Sequence, residues 1–469
     1  MAWVPINRNS GVPLIRQVYG QFRAGILSGA LAAGQRLPST RSLAEELSVS
    51  RNVVLEAYEQ LMAEGFIAGR HGSGTYVAAG AGLLGADGLM QPDEEPTADT
   101  PKLIDFRTGV PAVGLVPRKK LARIFHAVCL DAPSSVWGYA APEGCRELRQ
   151  ALSRYLFRTR GVICSPGHII VTTGASQGVS LCAKLLTAPG DEVLVEDPLH
   201  HDLHRILTAH GAALRPVPAD EHGLDTGQIP ADARPRLIYL TPSHQFPLGG
   251  ILPIQRRIDL IRLAEKSGAI IIEDDYDSEF RFRGQPVSAL QGLSPAQVIY
   301  AGTFSKILSP ALRLGFLVVP DALLHACRAL KFLSDRHSPV LEQLVLARFI
   351  DDGHLESHIT KMKRLYRQRQ NTLCRCLTAA FGDAVTTSGT STGLHLIAAF
   401  ARVTFDDTLV ARLEAAGVKV YPVETHACRK NVHHDKLILG YSNLSEPELT
   451  AGVDILKQVL DCPAPSGSL

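Results

Sequence analysis

The chain has 469 residues, of which 45% are hydrophobic, so it is long enough to form two or more cores. Its formal net charge of +2 excludes a protein that binds polyanions through overall charge, and any contact with nucleic acid must come from a local patch. The nine cysteines include no C-x-x-C pair, which argues against a zinc or redox site and favours reduced thiols in the cytoplasm. The first ten residues do not resemble a signal peptide and no apolar run could span a membrane, so we expect a soluble protein that is not exported.

Residues 1–78 are predicted to form a helix-turn-helix with a wing. Apolar residues at helical spacing predict a first helix over 13–28, and a short second helix starts at Pro38-Ser39. Ser50 is the candidate N-cap of a third helix, whose buried stripe runs over 53–61. The exposed face of that helix is expected to carry Arg51, Asn52, Leu55 and Glu59.

The wing is predicted from two short apolar segments, 66–67 and 75–77, which flank a glycine-rich tip at 70–74. Seven arginines and five glutamates leave residues 1–78 with a net charge of +2, so a basic surface depends on their arrangement. On periodicity alone, the alternative is a helical interaction module that does not touch DNA.

Three stretches, residues 37–44, 49–58 and 65–77, resemble the winged helix of the GntR family of bacterial regulators. The resemblance implies that the arginines contact phosphates and a guanine edge, and that the tip of the wing enters the minor groove. The DNA-binding residues that it implies are Arg41, Ser50, Arg51, Asn52, His71 and Gly72.

Residues 79–103 mix small residues, prolines and acids without an apolar period. We expect a flexible linker here, between a DNA-binding domain at 1–78 and a second domain at 104–461.

In the second domain, short β-branched segments alternate with helical ones. The predicted strands are 168–171, 193–195, 237–240, 269–272, 298–300 and 316–319. The alternation predicts an α/β domain with a buried, mainly parallel sheet, whose ligands gather at the carboxyl ends of the strands.

Polar residues follow those strands and fit one cofactor, pyridoxal phosphate. Such an aldehyde needs a lysine for its resting Schiff base, a carboxylate at the pyridine nitrogen and a phosphate cup. Lys306 is the candidate lysine and Asp274 the candidate carboxylate. Tyr276 lies on the same side of an extended segment as Asp274 and can donate to the phenolic oxygen of the ring. The expected phosphate cup is Gly174, Ala175, Ser176, Thr303, Ser305 and Arg313.

Residues 105–460 resemble fold-type I pyridoxal phosphate enzymes of the aspartate aminotransferase kind, including the segment from Tyr139 to Gly144 and the following Leu148-Arg149. The resemblance implies an α/β transferase fold with a small C-terminal α+β subdomain. It also implies a homodimer in which Tyr139 reaches the cofactor phosphate of the neighbouring subunit. The alternative for Tyr139 is a core aromatic residue after Trp137.

A GntR-like winged helix, a linker and an aminotransferase-like domain in one chain resemble the MocR family of bacterial regulators over essentially the whole length. Residues 241–247, 273–281 and 302–306 are typical of that family. The resemblance implies a head-to-tail dimer that binds operator DNA and a regulator that depends on pyridoxal phosphate. An amino-compound effector would displace Lys306 from the cofactor and change the DNA-binding geometry.

Two departures bear on the effector. His200 stands where relatives often carry an aromatic residue that stacks on the cofactor ring, and an imidazole can stack and also titrate. Residues 421–426 contain no arginine for a substrate carboxylate, and the nearest is Arg429. The effector is therefore not expected to be a simple α-amino acid, and pyridoxal phosphate itself, a polyamine, a peptide-like or a zwitterionic amine remain open.

Other patterns are weaker. No metal site is expected, because His200 and His204 have ligand spacing without a third ligand. The basic helix at 361–369 is either a solvated face or an auxiliary contact with DNA backbone. Two other functions remain open: a working aminotransferase with a DNA-binding appendage, and a GntR regulator whose large domain does not use the cofactor.

Overall fold

The structure is a computed structural model, and it describes residues 6–8, 10–70, 73–80 and 103–461. The chain divides into two compact units, Met1–Asp99 and Thr100–Leu469. Most of the predicted linker at 79–103, and the wing residues His71 and Gly72, lie outside the described residues.

The first unit is a three-helix core with a hairpin. Its elements are α1 (Leu14–Leu27), α2 (Thr40–Glu46), α3 (Arg51–Ala63), β1 (Ile67–Arg70) and β2 (Gly74–Val77). Apolar residues of all five elements form one core, in which the rings of Phe22 and Tyr58 meet edge to face with centroids 5.5 Å apart. The hairpin is antiparallel and pairs Ile67 with Val77. The predicted winged helix is therefore confirmed.

The serines that precede α2 and α3 differ in their capping. The Ser39 hydroxyl accepts a hydrogen bond from the Ser42 amide at 3.1 Å, as an N-cap does. Ser50 also has the extended backbone of an N-cap, but its side chain accepts no hydrogen bond from α3. The predicted N-cap position of Ser50 is therefore confirmed, but its side chain makes no capping hydrogen bond.

The second unit is built on an eight-stranded sheet. The elements from its start to the last strand of that sheet are β3 (Ile104–Asp105), α4 (Arg118–Asp131), α5 (Arg146–Arg160), β4 (Ile169–Thr172), α6 (Ala175–Leu186), β5 (Glu192–Asp197), α7 (His201–Ala209), β6 (Ala213–Asp220), β7 (Gly223–Leu224), β8 (Leu237–Leu240), α8 (Ile254–Ser267), β9 (Ile270–Asp275), β10 (Val298–Thr303) and β11 (Gly315–Val318). The strand order is β4-β11-β10-β9-β8-β5-β6-β7, and only β11 and β7 run antiparallel to the others.

Helices cover both faces of this sheet. Successive residues of a strand point to opposite sides, so the apolar residues on each face form a core with the helices on that side. Ile170 packs into one core with Val179 of α6, whereas Ile169 and Val171 pack into another with Leu148 of α5. The result is a helix–sheet–helix arrangement whose parallel strands place their carboxyl ends along one edge.

A smaller subdomain follows. The remaining elements are α9 (Asp321–Asp335), α10 (Val340–Asp351), α11 (His354–Phe381), β12 (Val385–Ser388), β13 (His395–Phe400), α12 (Asp407–Ala415), β14 (Val418–Lys419), β15 (Tyr421–Pro422), β16 (Lys436–Gly440) and α13 (Glu446–Asp461). The strands β12-β13-β16-β15 form an antiparallel sheet, and β14 pairs with β3. This is the predicted C-terminal α+β subdomain. Of the helices in the described ranges, none is long and apolar enough to cross a membrane.

Candidate functional site

A cavity of about 240 Å³ lies at the carboxyl ends of β4, β5, β8, β9 and β10. It brings together nine of the predicted residues: Ala175, Ser176, His200, Asp274, Tyr276, Thr303, Ser305, Lys306 and Arg313. Gly174 directly precedes α6 beside them, whereas Tyr139 does not line the cavity.

Asp274 supplies a buried carboxylate at the end of β9. Its side chain is 6% exposed, and its Oδ2 accepts a hydrogen bond from the Tyr239 hydroxyl at 2.5 Å. The other oxygen, Oδ1, is buried and has no hydrogen-bond partner among the described residues. Burial raises the pKa of Asp274 to about 6, although the hydrogen bond from Tyr239 acts in the opposite direction. The site therefore contains an acceptor that lacks a donor, which is unfavourable for a buried polar atom.

Lys306 lies just beyond β10, and its amine is packed against the backbone of Gly109. A Cβ atom at Gly109 would lie 2.9 Å from Lys306 Nζ, and the φ of +68° at this glycine is one that L side chains rarely adopt. Burial lowers the pKa of Lys306, while the charges of Asp274 and Asp277 partly offset this effect. A lower pKa leaves more of the amine neutral and nucleophilic, as a Schiff-base lysine requires.

The start of α6 and Arg313 form the electropositive end of the cavity. Gly174 has a φ of +107°, and a Cβ there would lie 3.2 Å from Arg313 Nη2. Arg313 itself has a left-handed backbone, with φ at 48°, and its Nη2 donates to the Thr173 carbonyl at 2.8 Å. Unpaired amides at a helix start and a neighbouring guanidinium favour an anion such as a phosphate.

Two hydroxyl residues at the end of β10 lie beside this end of the cavity. Thr303 and Ser305 are both buried, and the Ser305 amide donates to Thr303 Oγ1 at 3.2 Å. Their side chains line the cavity together with Lys306 and Arg313 and add hydrogen-bonding groups to its polar part.

Tyr276 takes part in a buried network that the sequence did not reveal. Its hydroxyl donates to the His244 carbonyl at 3.0 Å, and the His244 Nδ1 lies 2.9 Å from Asp277 Oδ1. His244 is 2% exposed, and its Nε2 has no partner in the described structure. The predicted contact of Tyr276 with a cofactor oxygen stays a prediction. The polar stretch after β8 was the available signal for His244, but its pairing with Asp277 depends on the adjacency of β8 and β9.

His200 lies at the N-terminus of α7 among other rings. Its ring centroid is 5.0 Å from that of Phe246 and 5.6 Å from that of His426. Its Nδ1 accepts from the Asp202 amide at 3.3 Å, and burial lowers its pKa. These contacts fix the imidazole at the cavity, while its stacking on a cofactor ring remains a prediction.

Tyr139 is 81% exposed, so the alternative of a core aromatic residue is wrong. The Arg336 guanidinium lies 4.5 Å from the centre of its ring, and the ring of His337 is 6.1 Å away. A short 3₁₀ segment, Ser134–Trp137, ends two residues before this exposed side chain.

Arg429, the arginine nearest to the expected carboxylate position, does not line the cavity. Its Nε donates to Asp197 Oδ2 at 3.1 Å, and its backbone amide donates to the same oxygen at 3.2 Å. Across the described part of the chain, no three His, Cys, Asp or Glu residues are grouped so that they could hold a metal ion.

The exposed face of α3 contains the predicted recognition residues. Arg51 and Asn52 are exposed in its first turn, where a recognition helix contacts base edges. Arg41 is exposed on α2, and its Nε lies 3.5 Å from Glu45 Oε1, an ion pair that solvent weakens. These side chains are therefore accessible to a ligand.

Comparisons with known proteins agree with both halves of this description. The model of bacterial regulatory proteins of the gntR family matches residues 14–77, and the model of aminotransferase class I and II matches residues 101–435. Among solved structures, the α-aminoadipate aminotransferase LysN from Thermus thermophilus has a TM-score of 0.71 at 25% identity, and the match covers 77% of this chain and 92% of LysN.

Two similar regulators extend the comparison. A probable rhizopine catabolism regulatory protein MocR from Rhizobium meliloti is 35% identical over 485 residues, which cover 99% of this chain and 97% of that protein. The HTH-type pyridoxine biosynthesis transcriptional regulator PdxR from Corynebacterium glutamicum is 33% identical over 368 residues, which cover 78% of this chain and 80% of PdxR. The chain belongs to the GntR family of bacterial regulators and, within it, to the MocR-type proteins that join a winged helix to an aminotransferase class I and II domain.

Proposed function

We propose that the protein is a transcription regulator that binds operator DNA through its winged helix and pyridoxal phosphate in the cavity around Lys306. Its family supports the regulator class. The observation that carries the cofactor assignment is the unpaired Oδ1 of Asp274 within that cavity. A protonated pyridine nitrogen is a donor that would satisfy this oxygen and keep the carboxylate ionised.

The other lining residues fit the remaining parts of the cofactor. Lys306 would hold the aldehyde, and Tyr276 and His200 would contact the ring. The phosphate would be held by Gly174, Ala175, Ser176, Thr303, Ser305 and Arg313. When bound, pyridoxal phosphate supplies an aldehyde that combines reversibly with amines. An amino-compound effector, or pyridoxal phosphate itself, is accordingly the proposed signal.

The DNA contacts and the assembly complete the proposal. Arg51 and Asn52 would contact base edges from the first turn of α3, with Arg41 and Ser50 beside them and the wing residues 71–72 in the minor groove. The protein would act in the cytoplasm as a head-to-tail homodimer, in which the exposed Tyr139 reaches the neighbouring site.

The proposal is tested by absorption spectra of wild type and Lys306→Ala with added pyridoxal phosphate, alongside binding to an operator selected from a random DNA library. We expect a visible band in the wild type that Lys306→Ala lacks, with operator binding retained in both. No band in either protein would contradict the cofactor assignment. Arg51→Ala is expected to weaken operator binding while it leaves the band unchanged.

The presence of Lys306 and Asp274 in one cavity favours a second candidate, an aminotransferase with a DNA-binding appendage. In that case Lys306 would move a proton as a general base. Turnover of an amino donor with a keto acid would support this candidate, and its absence in a protein that shows the visible band would support the regulator.

A further inference from the structure

Part of the cavity lining has no role toward the proposed cofactor. Phe246 and His395 lie there, with ring centroids 5.4 Å apart. Phe246 belongs to a buried apolar cluster with Ile397, Val423 and Ile438 of the C-terminal subdomain. We name this surface, formed by Phe246, Leu394 and His395 with His200 at its side, the aromatic wall.

The aromatic wall carries no permanent positive charge. Among the described residues, the lysine and arginine that line the cavity are Lys306 and Arg313, and both are assigned to the cofactor. Burial lowers the pKa of His395 to about 3 and also lowers that of His200. Both imidazoles are therefore neutral at pH 7. The remaining ionisable lining residues, apart from the tyrosines, are acids, namely Asp202, Asp274 and Asp277.

The two imidazoles still offer hydrogen bonds to an uncharged group. His395 Nε2 lies 2.9 Å from the Pro247 carbonyl, so this nitrogen carries the proton and Nδ1 is an acceptor. His200 Nδ1 accepts from the Asp202 amide, so its Nε2 is a donor. A hydroxyl group can use one acceptor and one donor of this kind, whereas a carboxylate needs cations or several donors.

We infer that the effector is a primary amine without a carboxylate, of the amino-alcohol class, whose uncharged part rests on the aromatic wall. The inference rests on the proposed function, since the amine must reach the cofactor at Lys306. A carboxylate placed on this wall would lose its hydration without gaining a cation, which lowers affinity. The amine end, by contrast, enters a cavity that is lined by Asp202 and Asp277, besides the Asp274 assigned to the cofactor.

Arg107 offers a carboxylate one alternative outside the wall. It is exposed and directly precedes the lining residues Thr108 and Gly109, and its charge contributes to the lowered pKa of Lys306. An effector that is an amino acid would have to pair with this arginine.

The test titrates the cofactor-loaded protein with L-leucinol and L-leucine, and with L-alaninol and L-alanine, and follows the visible absorption band. Each pair shares its skeleton, and the two amines titrate at similar pH, so the carboxylate is the main difference. We expect half-maximal change at concentrations at least tenfold lower for the alcohols. Leu203→Arg adds a cation beside the wall, at a lining residue without an assigned role toward the cofactor, and should reverse the order, whereas the matched control Leu203→Gln should keep it. If Leu203→Arg does not fold, Thr108→Arg serves the same purpose.

The inference would be overturned if the amino acids change the band at the same or lower concentrations than their alcohols. The clearest case would be a preference for amino acids that disappears in Arg107→Gln. A band that none of the four compounds changes would overturn it as well. In these cases the band itself shows that the cofactor assignment, on which the inference rests, still stands. A wild-type protein without the band would overturn both.

Discussion

The Asp274 carboxylate lowers the stability of the ligand-free protein at neutral pH. It is buried with one oxygen unpaired, and its pKa rises to about 6 in the folded state. A raised pKa means that the folded state favours the protonated acid. The contribution of the protonated Asp274 carboxyl to the free energy of unfolding is complete below the pKa that this group has in the unfolded chain. It is lost as pH rises through about 6, the pKa in the folded state. A shift of roughly two pKa units corresponds to about 3 kcal/mol.

Asp274→Asn removes this charge and keeps the shape of the side chain. We expect the ligand-free variant to be more stable than wild type by about 1–3 kcal/mol at pH 7.5, with the difference shrinking as pH falls through the pKa of Asp274. Urea unfolding at pH 7.5 and pH 5 measures it. The same variant should bind pyridoxal phosphate at least tenfold more weakly, because it loses a charge-assisted hydrogen bond of about 1.5–3 kcal/mol. Equal stabilities at pH 7.5 would contradict the prediction.

Gly109 controls the position of the Lys306 amine. Gly109→Ala would place a methyl group 2.9 Å from Nζ and impose a strained backbone, so the lysine must move. We expect the visible band to be lost or weakened at least tenfold in a pyridoxal phosphate titration. Gly114→Ala is the matched control, since a Cβ there meets no atom within 4 Å and should leave the band unchanged. A normal band in Gly109→Ala would exclude this role.

The serines that precede α2 and α3 allow helix stability and DNA recognition to be tested separately, because Ser39 caps its helix through its side chain and Ser50 does not. Ser39→Ala removes the side-chain cap of α2 and should destabilise the winged helix by about 1 kcal/mol. Ser50→Ala removes no cap, so it should leave stability within about 0.5 kcal/mol of wild type. Hydrogen exchange of the helical amides measures both effects. If Ser50 contacts DNA as proposed, Ser50→Ala weakens operator binding without a change in exchange, and unchanged binding would remove Ser50 from the interface.

The strands were predictable where their burial was uniform. Each of the six predicted segments lies in the large sheet, because β-branched residues buried on both faces leave a strong pattern. The strand β6 escaped prediction because Pro216 and Pro218 interrupt it. Both prolines are tolerated because β7 pairs only with Ala219 and Asp220 of β6. On that side of the strand, no pairing therefore requires a backbone N–H from Pro216 or Pro218.

The candidate site was predictable where each residue follows its own strand. Lys306 and Asp274 occupy such positions, and parallel strands bring their carboxyl ends together. The pairing of His244 with Asp277 was not predictable, because it depends on two side chains meeting across neighbouring strands. The exposure of Tyr139 was also open, because the short 3₁₀ segment before it has no periodic pattern of burial.

The proposed contact of Tyr139 with the neighbouring subunit predicts sites shared between subunits. If Tyr139 of one subunit completes the site that contains Lys306 of the other, a mixed dimer of Tyr139→Ala and Lys306→Ala has one intact site. We expect Tyr139→Ala alone to bind pyridoxal phosphate several-fold more weakly, and the mixture to recover high-affinity binding at up to one site per dimer. Spectral titration of the separate and mixed proteins checks this, and a mixture that behaves as the average of its components would contradict shared sites.

The unpaired oxygen of Asp274 also bears on how much regulator a cell contains. A ligand that binds only the folded state stabilises it by mass action, and pyridoxal phosphate would also supply a donor to Oδ1 of Asp274. Newly made chains that meet little pyridoxal phosphate would unfold more often and be degraded sooner. The abundance of the protein would then follow the supply of its own cofactor, independently of any effector.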